Sequence, residues 1–326
     1  MRLSPLLGLC LICASASPGA TETSGDAPAN APGLLQQSLR LAEQARDRLS
    51  TGIVELSDGI DRVFGANREL ERANRSQVRL YNSNTLTAGG RPASVIKSYV
   101  KLDLPRTNER LSLVIESNSL QQEADKEKDI DQSNTLPQRE EGETAITSSL
   151  QYLLRQSARW NVRASAGLRL TTSPEAVTRL KARHQTRLGQ WQVRASQMIF
   201  WYSSAKLGET TRLELEHPLG EKHLFRASSH ATWRQLPDTF ELGQYLTVFQ
   251  QLGSGRYLAY QLSAEGENRP RLHVSRYTAH IYFRKMLYKN WIFLDLVPLL
   301  LWQRSQAFQP SPSFSINLEL VLGATP

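Results

Sequence analysis

From about Ser76 to Gly323 the chain alternates apolar and polar residues with a period of two. That period restricts it to strands whose two faces meet different surroundings. In the last segment Phe314, Ile316, Leu318, Leu320 and Leu322 alternate with Ser313, Ser315, Asn317, Glu319 and Val321. The same rule sets Trp160, Val162, Ala164, Ala166, Leu168 and Leu170 against Asn161, Arg163, Ser165, Gly167 and Arg169. It also sets Trp191, Val193, Ala195, Ile199 and Trp201 against Gln192, Arg194 and Ser196, and Tyr277, Ala279, Ile281 and Phe283 against Thr278, His280, Tyr282 and Arg284. The pattern predicts strands near 76–84, 94–104, 109–117, 146–156, 159–170, 176–187, 190–202, 208–217, 222–235, 239–251, 255–265, 271–285, 290–302 and 313–323. There are fourteen of them, or twelve without the two least regular at the N-terminal end. Most span 9 to 15 residues. Soluble strands are usually about five or six residues long, whereas a tilted strand crossing a bilayer needs about ten.

A soluble sandwich also alternates, so the chemistry of the two faces decides between the architectures. Here the polar faces are rich in arginine, and the apolar faces end in Trp160, Trp191, Trp201, Trp233, Tyr277 and Trp302. Aromatic residues at both ends of an apolar band suit the two interfaces of a membrane. The expected fold is an all-β, transmembrane, antiparallel up-and-down barrel with an N-terminal helical segment. Closure follows because an open edge in lipid leaves backbone groups unpaired. The alternative architecture is a soluble periplasmic all-β binding protein. A helical membrane bundle is excluded by a mean hydropathy of -0.41 and by the absence of long apolar runs after the N-terminus.

Residues 1–16 read as a secretory signal peptide, with Arg2, an apolar stretch from Leu6 to Cys13, and Ala14-Ser15-Ala16 at a cleavage site that can lie as late as Ala20. Both cysteines, Cys10 and Cys13, fall inside it. A mature chain without cysteine has no disulfide framework, thiolate metal site or cysteine nucleophile. Residues 17–33 form a polar linker. Over 34–70 the apolar residues Leu35, Leu39, Leu49, Ile53, Leu56, Ile60 and Phe64 recur mostly at spacings of three or four, which predicts an amphipathic periplasmic helical segment.

Connections between the predicted strands alternate in length. Short turns such as Leu188-Gly189 and Gly253-Ser254-Gly255 fall on one side, and every long connection falls on the other, as in outer-membrane barrels with periplasmic termini. The longest, 118–145, holds eight acids and three bases, a net of -5. It reads as a solvated outer loop, or as a lid able to meet a basic mouth or the divalent cations held by lipopolysaccharide.

Parity places Lys97, Lys101, Arg155, Arg163, Arg169, Arg179, Lys181, Arg183, Arg194, Arg212, Arg226, Arg234, Arg276, His280 and Arg284 toward the lumen. Opposing acids are Glu116, Glu214, Glu216, Asp295 and Glu319. A three-residue turn after Pro218 predicts that Glu214 faces Arg226, and a two-residue turn at Tyr288-Lys289 predicts that Asp295 faces Tyr282. Such pairs can serve as structural ladders replacing an apolar core. Arg183 is expected to face Arg194 with no acid in either strand. An uncompensated cationic lumen concentrates anions, so a pore for anionic solutes is the first functional expectation.

A lipid-modifying enzyme is the weaker alternative, carried only by Ser228 and His230 on one face. No phosphate loop, zinc motif or serine elbow occurs, so neither cofactor nor metal is expected. The basic composition is taken up by the lumen, which leaves no case for nucleic acid.

Leu102-Asp103-Leu104-Pro105-Arg106-Thr107, the stretch from Trp291-Ile292-Phe293 through Pro298 to Trp302, and the closing Leu318-Glu319-Leu320-Val321-Leu322-Gly323 resemble a group of uncharacterised proteobacterial outer-membrane barrel proteins. The likeness covers roughly 60–323. It implies a barrel in contact with outer-membrane lipid and lipopolysaccharide, inserted by the barrel assembly machinery, and implies no activity. The chain departs from such barrels at its end, where Gly323-Ala324-Thr325-Pro326 stands in place of a terminal aromatic. Pro298 on an apolar face predicts a bulge or an unpaired position.

Overall fold

The computed structural model describes residues 77–104, 110–117, 146–171, 173–288 and 291–323. The expected leader, linker, helical segment, acidic loop 118–145 and last three residues lie outside them. Fourteen strands run through the described residues: β1 (Gln77–Thr87), β2 (Ala93–Asp103), β3 (Leu111–Ser117), β4 (Ile146–Gln156), β5 (Trp160–Leu170), β6 (Glu175–Leu188), β7 (Trp191–Tyr202), β8 (Lys206–Pro218), β9 (His223–Arg234), β10 (Thr239–Gly253), β11 (Arg256–Glu267), β12 (His273–Tyr288), β13 (Ile292–Gln303) and β14 (Pro310–Gly323). Each pairs antiparallel with its neighbours in sequence, and β14 returns to β1, so the sheet is a closed barrel. The closing pair runs from Gln77 opposite Gly323 to Thr87 opposite Ser313. Neither β1 nor β14 is thereby left as an open edge, which removes the penalty of unpaired backbone groups.

Alternation sorts the side chains as the sequence pattern requires. Along β8, Thr210, Arg212, Glu214 and Glu216 are buried while Glu209, Thr211 and Leu213 are exposed. Along β14, Ser313, Asn317 and Glu319 are buried while Phe314, Ile316, Leu318 and Leu322 are exposed. This inverts a water-soluble protein, in which the large apolar side chains are the buried ones. The outward face carries leucine, isoleucine and aromatic residues around the barrel.

Two aromatic bands mark the ends of that apolar face. Trp160, Trp191 and Tyr288 lie at the rim of the tight turns, and Trp201, Trp233, Tyr277 and Trp302 lie at the opposite rim. From Trp191 to Trp201 along β7 is a rise of roughly 33 Å, or about 25 Å after a tilt of ~40°, the height of the lipid-facing band of a membrane barrel. Histidines share the turn-side band: the rings of Trp160 and His184 are 4.6 Å apart, and those of Trp191 and His217 also 4.6 Å.

Register departs from expectation at several turns. A bulge between Leu153 and Arg155 places Arg155 opposite Val162, which is on the outward face, so Arg155 points to the outside and not into the lumen. A second bulge, between Met286 and Tyr288, shifts β13 against β12. Pro298 is on the outward face, as expected, and pairing of β12 with β13 steps from His280–Leu299 to Phe283–Leu296 without a ladder pair at Pro298. A residue without an N–H cannot complete the ladder, so the strands stay in register and open locally.

Candidate functional site

The inner face of the barrel divides into two walls of different character. On β8 to β13 the inward side chains are buried through the middle of each strand. Leu224, Phe249, Ala259, Tyr282 and Val297 form an apolar cluster across this wall. Half-exposed inward residues gather on β1, β2 and β4 to β6, among them Lys97, Tyr99, Gln151, Asn161, Ser165, Arg169, Arg179 and Lys181.

On the buried wall, arginines meet acids. Glu216 lies opposite Arg226 across β8 and β9 and accepts from Arg226 Nε at 2.6 Å. The same carboxylate oxygen accepts from Arg194 Nη1 at 2.7 Å. Arg226 also sits over the Phe249 ring, 4.7 Å from its centroid. The expected Glu214–Arg226 pair is therefore corrected: the connection after Pro218 places Glu214 opposite Ser228, and its carboxylate lies 3.8 Å from Arg212. A second network centres on Arg284. It faces Asp295 directly at 3.4 Å, donates to the Tyr282 hydroxyl at 3.1 Å, and is hydrogen-bonded to Glu319. Glu319 in turn reaches Arg79 at 3.3 Å. The expectation that Asp295 faces Tyr282 fails because the bulge at Met286 to Tyr288 moves the register. His280 faces Gln261 on one side and Leu299 on the other.

Acids missed by sequence parity hold three more of the arginines. Glu175 pairs with Arg169 at 2.8 Å, Glu241 with Arg234 at 2.6 Å, and Glu265 with Arg276. All three stand at or near strand ends on the inward parity of their partners. That shared parity is the signal that identifies them.

Arg163, Arg169, Arg179, Lys181 and Arg183 stand inward on β5 and β6. Arg183 does not face Arg194: the turn Gly189-Gln190 places Leu188 opposite Trp191, so Arg183 meets Ser196 and Arg194 meets Gln185. A face-to-face pair of cations exists one strand pair earlier, where Arg163 is directly opposite Lys181. Arg179 lies on the same inward face and donates to the Tyr202 hydroxyl at 3.1 Å. Counted by sign, β2 to β6 contribute Lys97, Lys101, Arg163, Arg169, Arg179, Lys181 and Arg183 against Glu116 and Glu175 among the described residues. From β7 round to β1, Arg194, Arg212, Arg226, Arg234, Arg276, Arg284 and Arg79 are matched by Glu214, Glu216, Glu241, Glu265, Asp295 and Glu319. Inward charge among the described residues is thus unevenly distributed, seven cations to two acids on β2 to β6 and seven to six from β7 round to β1.

At the rim of the longer connections a cavity of about 600 Å³ is lined by His230, Glu241, Glu265, His273, Arg276 and Arg304 among others. His230 stacks on Tyr245, with centroids 5.5 Å apart and an angle of 18°. The ring fits because Gly243 is opposite it. A Cβ at Gly243 comes within 2.2 Å of the imidazole Cε1. Gly243→Ala therefore costs about 1–3 kcal/mol in unfolding titrations, the usual range for overpacking. His230→Ala in the same chain recovers most of it, since the collision goes with the ring. Equal losses in the single and double variants would show that His230 is not the obstacle. Ser228 and His230 share this inward face, but the Ser228 hydroxyl has no hydrogen-bond partner among the described residues.

No family model matches the chain, and no curated protein matches it. Among solved structures, the chain is similar to a bacterial polysaccharide outer-membrane secretin at 8% identity, covering 77% of this chain and 99% of that one with a TM-score of 0.45. A loop-deletion mutant of OmpT, an outer-membrane protein of Vibrio cholerae, aligns at 10% identity over 76% of this chain and 98% of its own, with a TM-score of 0.44. OccK11 of Pseudomonas aeruginosa aligns at 9% identity over 77% of this chain and 96% of its own, with a TM-score of 0.41.

Proposed function

We propose that the protein is an outer-membrane channel for small polar solutes, with a path along the basic wall of β2 to β6 that favours anions. The observation that carries this reading is the segregation of lumen charge. Arg163, itself buried, and the partly exposed Lys181 face each other on a wall where Lys97, Arg169 and Arg179 are also partly exposed, while the inward residues of β8 to β13 are buried through mid-strand and alternate in sign. A field of one sign along a water-filled path raises the local concentration of the opposite ion, and salt at physiological strength limits the gain. The apolar belt and its aromatic bands support a membrane location. On this reading the turn-side rim and both ends of the barrel-forming segment, Gln77 and Gly323, lie on the periplasmic side, lipopolysaccharide surrounds the opposite rim, and the barrel assembly machinery inserts the chain.

Planar-bilayer recording across a salt gradient tests it. Stable steps with an anion-selective reversal potential are expected. Arg163→Glu with Lys181→Glu should move that potential toward the cation side. Arg194→Gln should move it less, because Arg194 already sits on Glu216. A protein that inserts yet never conducts overturns the channel and leaves a structural barrel, a role the packed cluster around Phe249 would suit.

A further inference from the structure

Arg256 and Lys285 are directly opposite each other across β11 and β12. Their neighbours Tyr257 and Arg284 form the adjacent inward pair, so the two cations are on the outward face, and both are exposed. Like charges directly opposed across a sheet repel. Among the described residues no ion pair relieves either one, and the next outward residue in the same row is Leu294 of β13. The pair stands at the turn-side rim near Tyr288, whose ring meets Trp291 edge-on at 5.7 Å. Two cations on an apolar face at the level of an aromatic band suit an anion that is itself held at the membrane interface.

The same strands carry an apolar groove toward the middle of the barrel. It has a volume of about 690 Å³ and is lined by Tyr260, Leu262, Ala279, Ile281, Pro298 and Leu300, with further apolar residues around it. It forms where Pro298 interrupts the ladder and where Ala279 leaves the surface low between Leu262 and Leu300. From Arg256 to Tyr260 is four residues along β11, about 13 Å of rise. One leaflet contributes about 15 Å of the ~30 Å hydrocarbon core. An acyl chain anchored at the cation pair thus reaches the groove within its own leaflet.

We propose that this face binds an anionic glycerophospholipid, with the phosphate between Arg256 and Lys285 and one acyl chain in the groove beside Pro298. A zwitterionic headgroup brings its own cation and neutralises the pair less well, so net-negative headgroups are selected. This inference rests on the reading of the barrel as membrane-spanning.

The test is native mass spectrometry of the full-length protein released from detergent containing equal amounts of phosphatidylglycerol and phosphatidylcholine. Single-lipid adducts should favour phosphatidylglycerol by roughly fivefold to tenfold, from about fivefold per basic residue at an anionic surface less the repulsion within the pair. Arg256→Gln with Lys285→Gln, both exposed and outside the lumen networks, should bring the ratio to about one. Ala279→Leu, which fills the groove and keeps both cations, should lower the occupancy of the phosphatidylglycerol adduct while the headgroup preference stays. Unchanged adduct occupancy in that variant overturns the acyl site. Equal adducts in the unaltered protein overturn the whole inference, provided that vesicle insertion and a heat-modifiable gel shift show an intact membrane barrel. A chain that inserts into vesicles of neither lipid overturns the membrane reading and this inference together.

Discussion

Glu216→Leu lowers the unfolding free energy by about 3–5 kcal/mol in a denaturant titration of the detergent-folded barrel, the range for removing one partner of a buried ion pair. The size follows from what the substitution leaves behind. Arg194 and Arg226 are 2% and 1% exposed, and both contact the same carboxylate oxygen. With the carboxylate gone, two guanidiniums stay in a site from which water is largely excluded, and each loses a charge-assisted bond. Arginine cannot relieve this by giving up its proton. Adding Arg194→Met and Arg226→Met to Glu216→Leu should restore most of the lost stability, because a buried ionic group replaced as a set by apolar side chains is often neutral or stabilising. A loss below about 1 kcal/mol in the single variant would mean that water reaches the site, and the buried wall would then have to be regarded as part of the open path.

Arg284→Met tests the second network with the charges reversed. It leaves Asp295, which is fully buried, and the diagonally placed Glu319 without the guanidinium that joins them. The expected loss is again about 3–5 kcal/mol at neutral pH. Glu319 keeps Arg79 at 3.3 Å, so Asp295 is the more exposed to the change in energetic terms. Asp295→Asn in the Arg284→Met chain should therefore recover more stability than Glu319→Gln does, measured by the same titration. The reverse order would show that the Arg79 contact contributes little.

What the sequence discloses and what it hides follow one physical division. Side-chain parity is a local property of an extended chain, so the inward placement of Arg163, Arg226, Arg284, Asp295 and Glu319 could be read directly from alternation. Register is set by turns and bulges, and one added residue changes every partner in a hairpin. The extra residue near Leu287 therefore moved Asp295 from Tyr282 to Arg284, and the connection after Pro218 moved Arg226 from Glu214 to Glu216. At Arg155 a bulge reversed parity itself. The charge balance suffered most, because Glu175, Glu241 and Glu265 sit where strands end and were not counted as partners. The apolar side chains of the inner wall were hidden for a different reason. In β13, Phe293, Val297, Leu299 and Leu301 point inward from a strand apolar on both faces, so alternation cannot show which face is which.

The seam between β1 and β14 gives the barrel a property that its linear numbering conceals. Its eleven residue pairs are one fewer than the twelve of the β9–β10 hairpin, and side chains cross it where Ser83 donates to Asn317 at 2.7 Å and Thr85 meets Ser315 at 2.8 Å. Since Gln77 and Gly323 are partners, the two ends of the barrel chain emerge side by side on one rim. A short peptide joining them would make residues 77–323 a ring, and the ring could be cut instead at 203–205 or 235–238 with all strand pairings kept. Position along the chain is thus no part of this architecture; what defines a strand is the pair of neighbours it has around the circle.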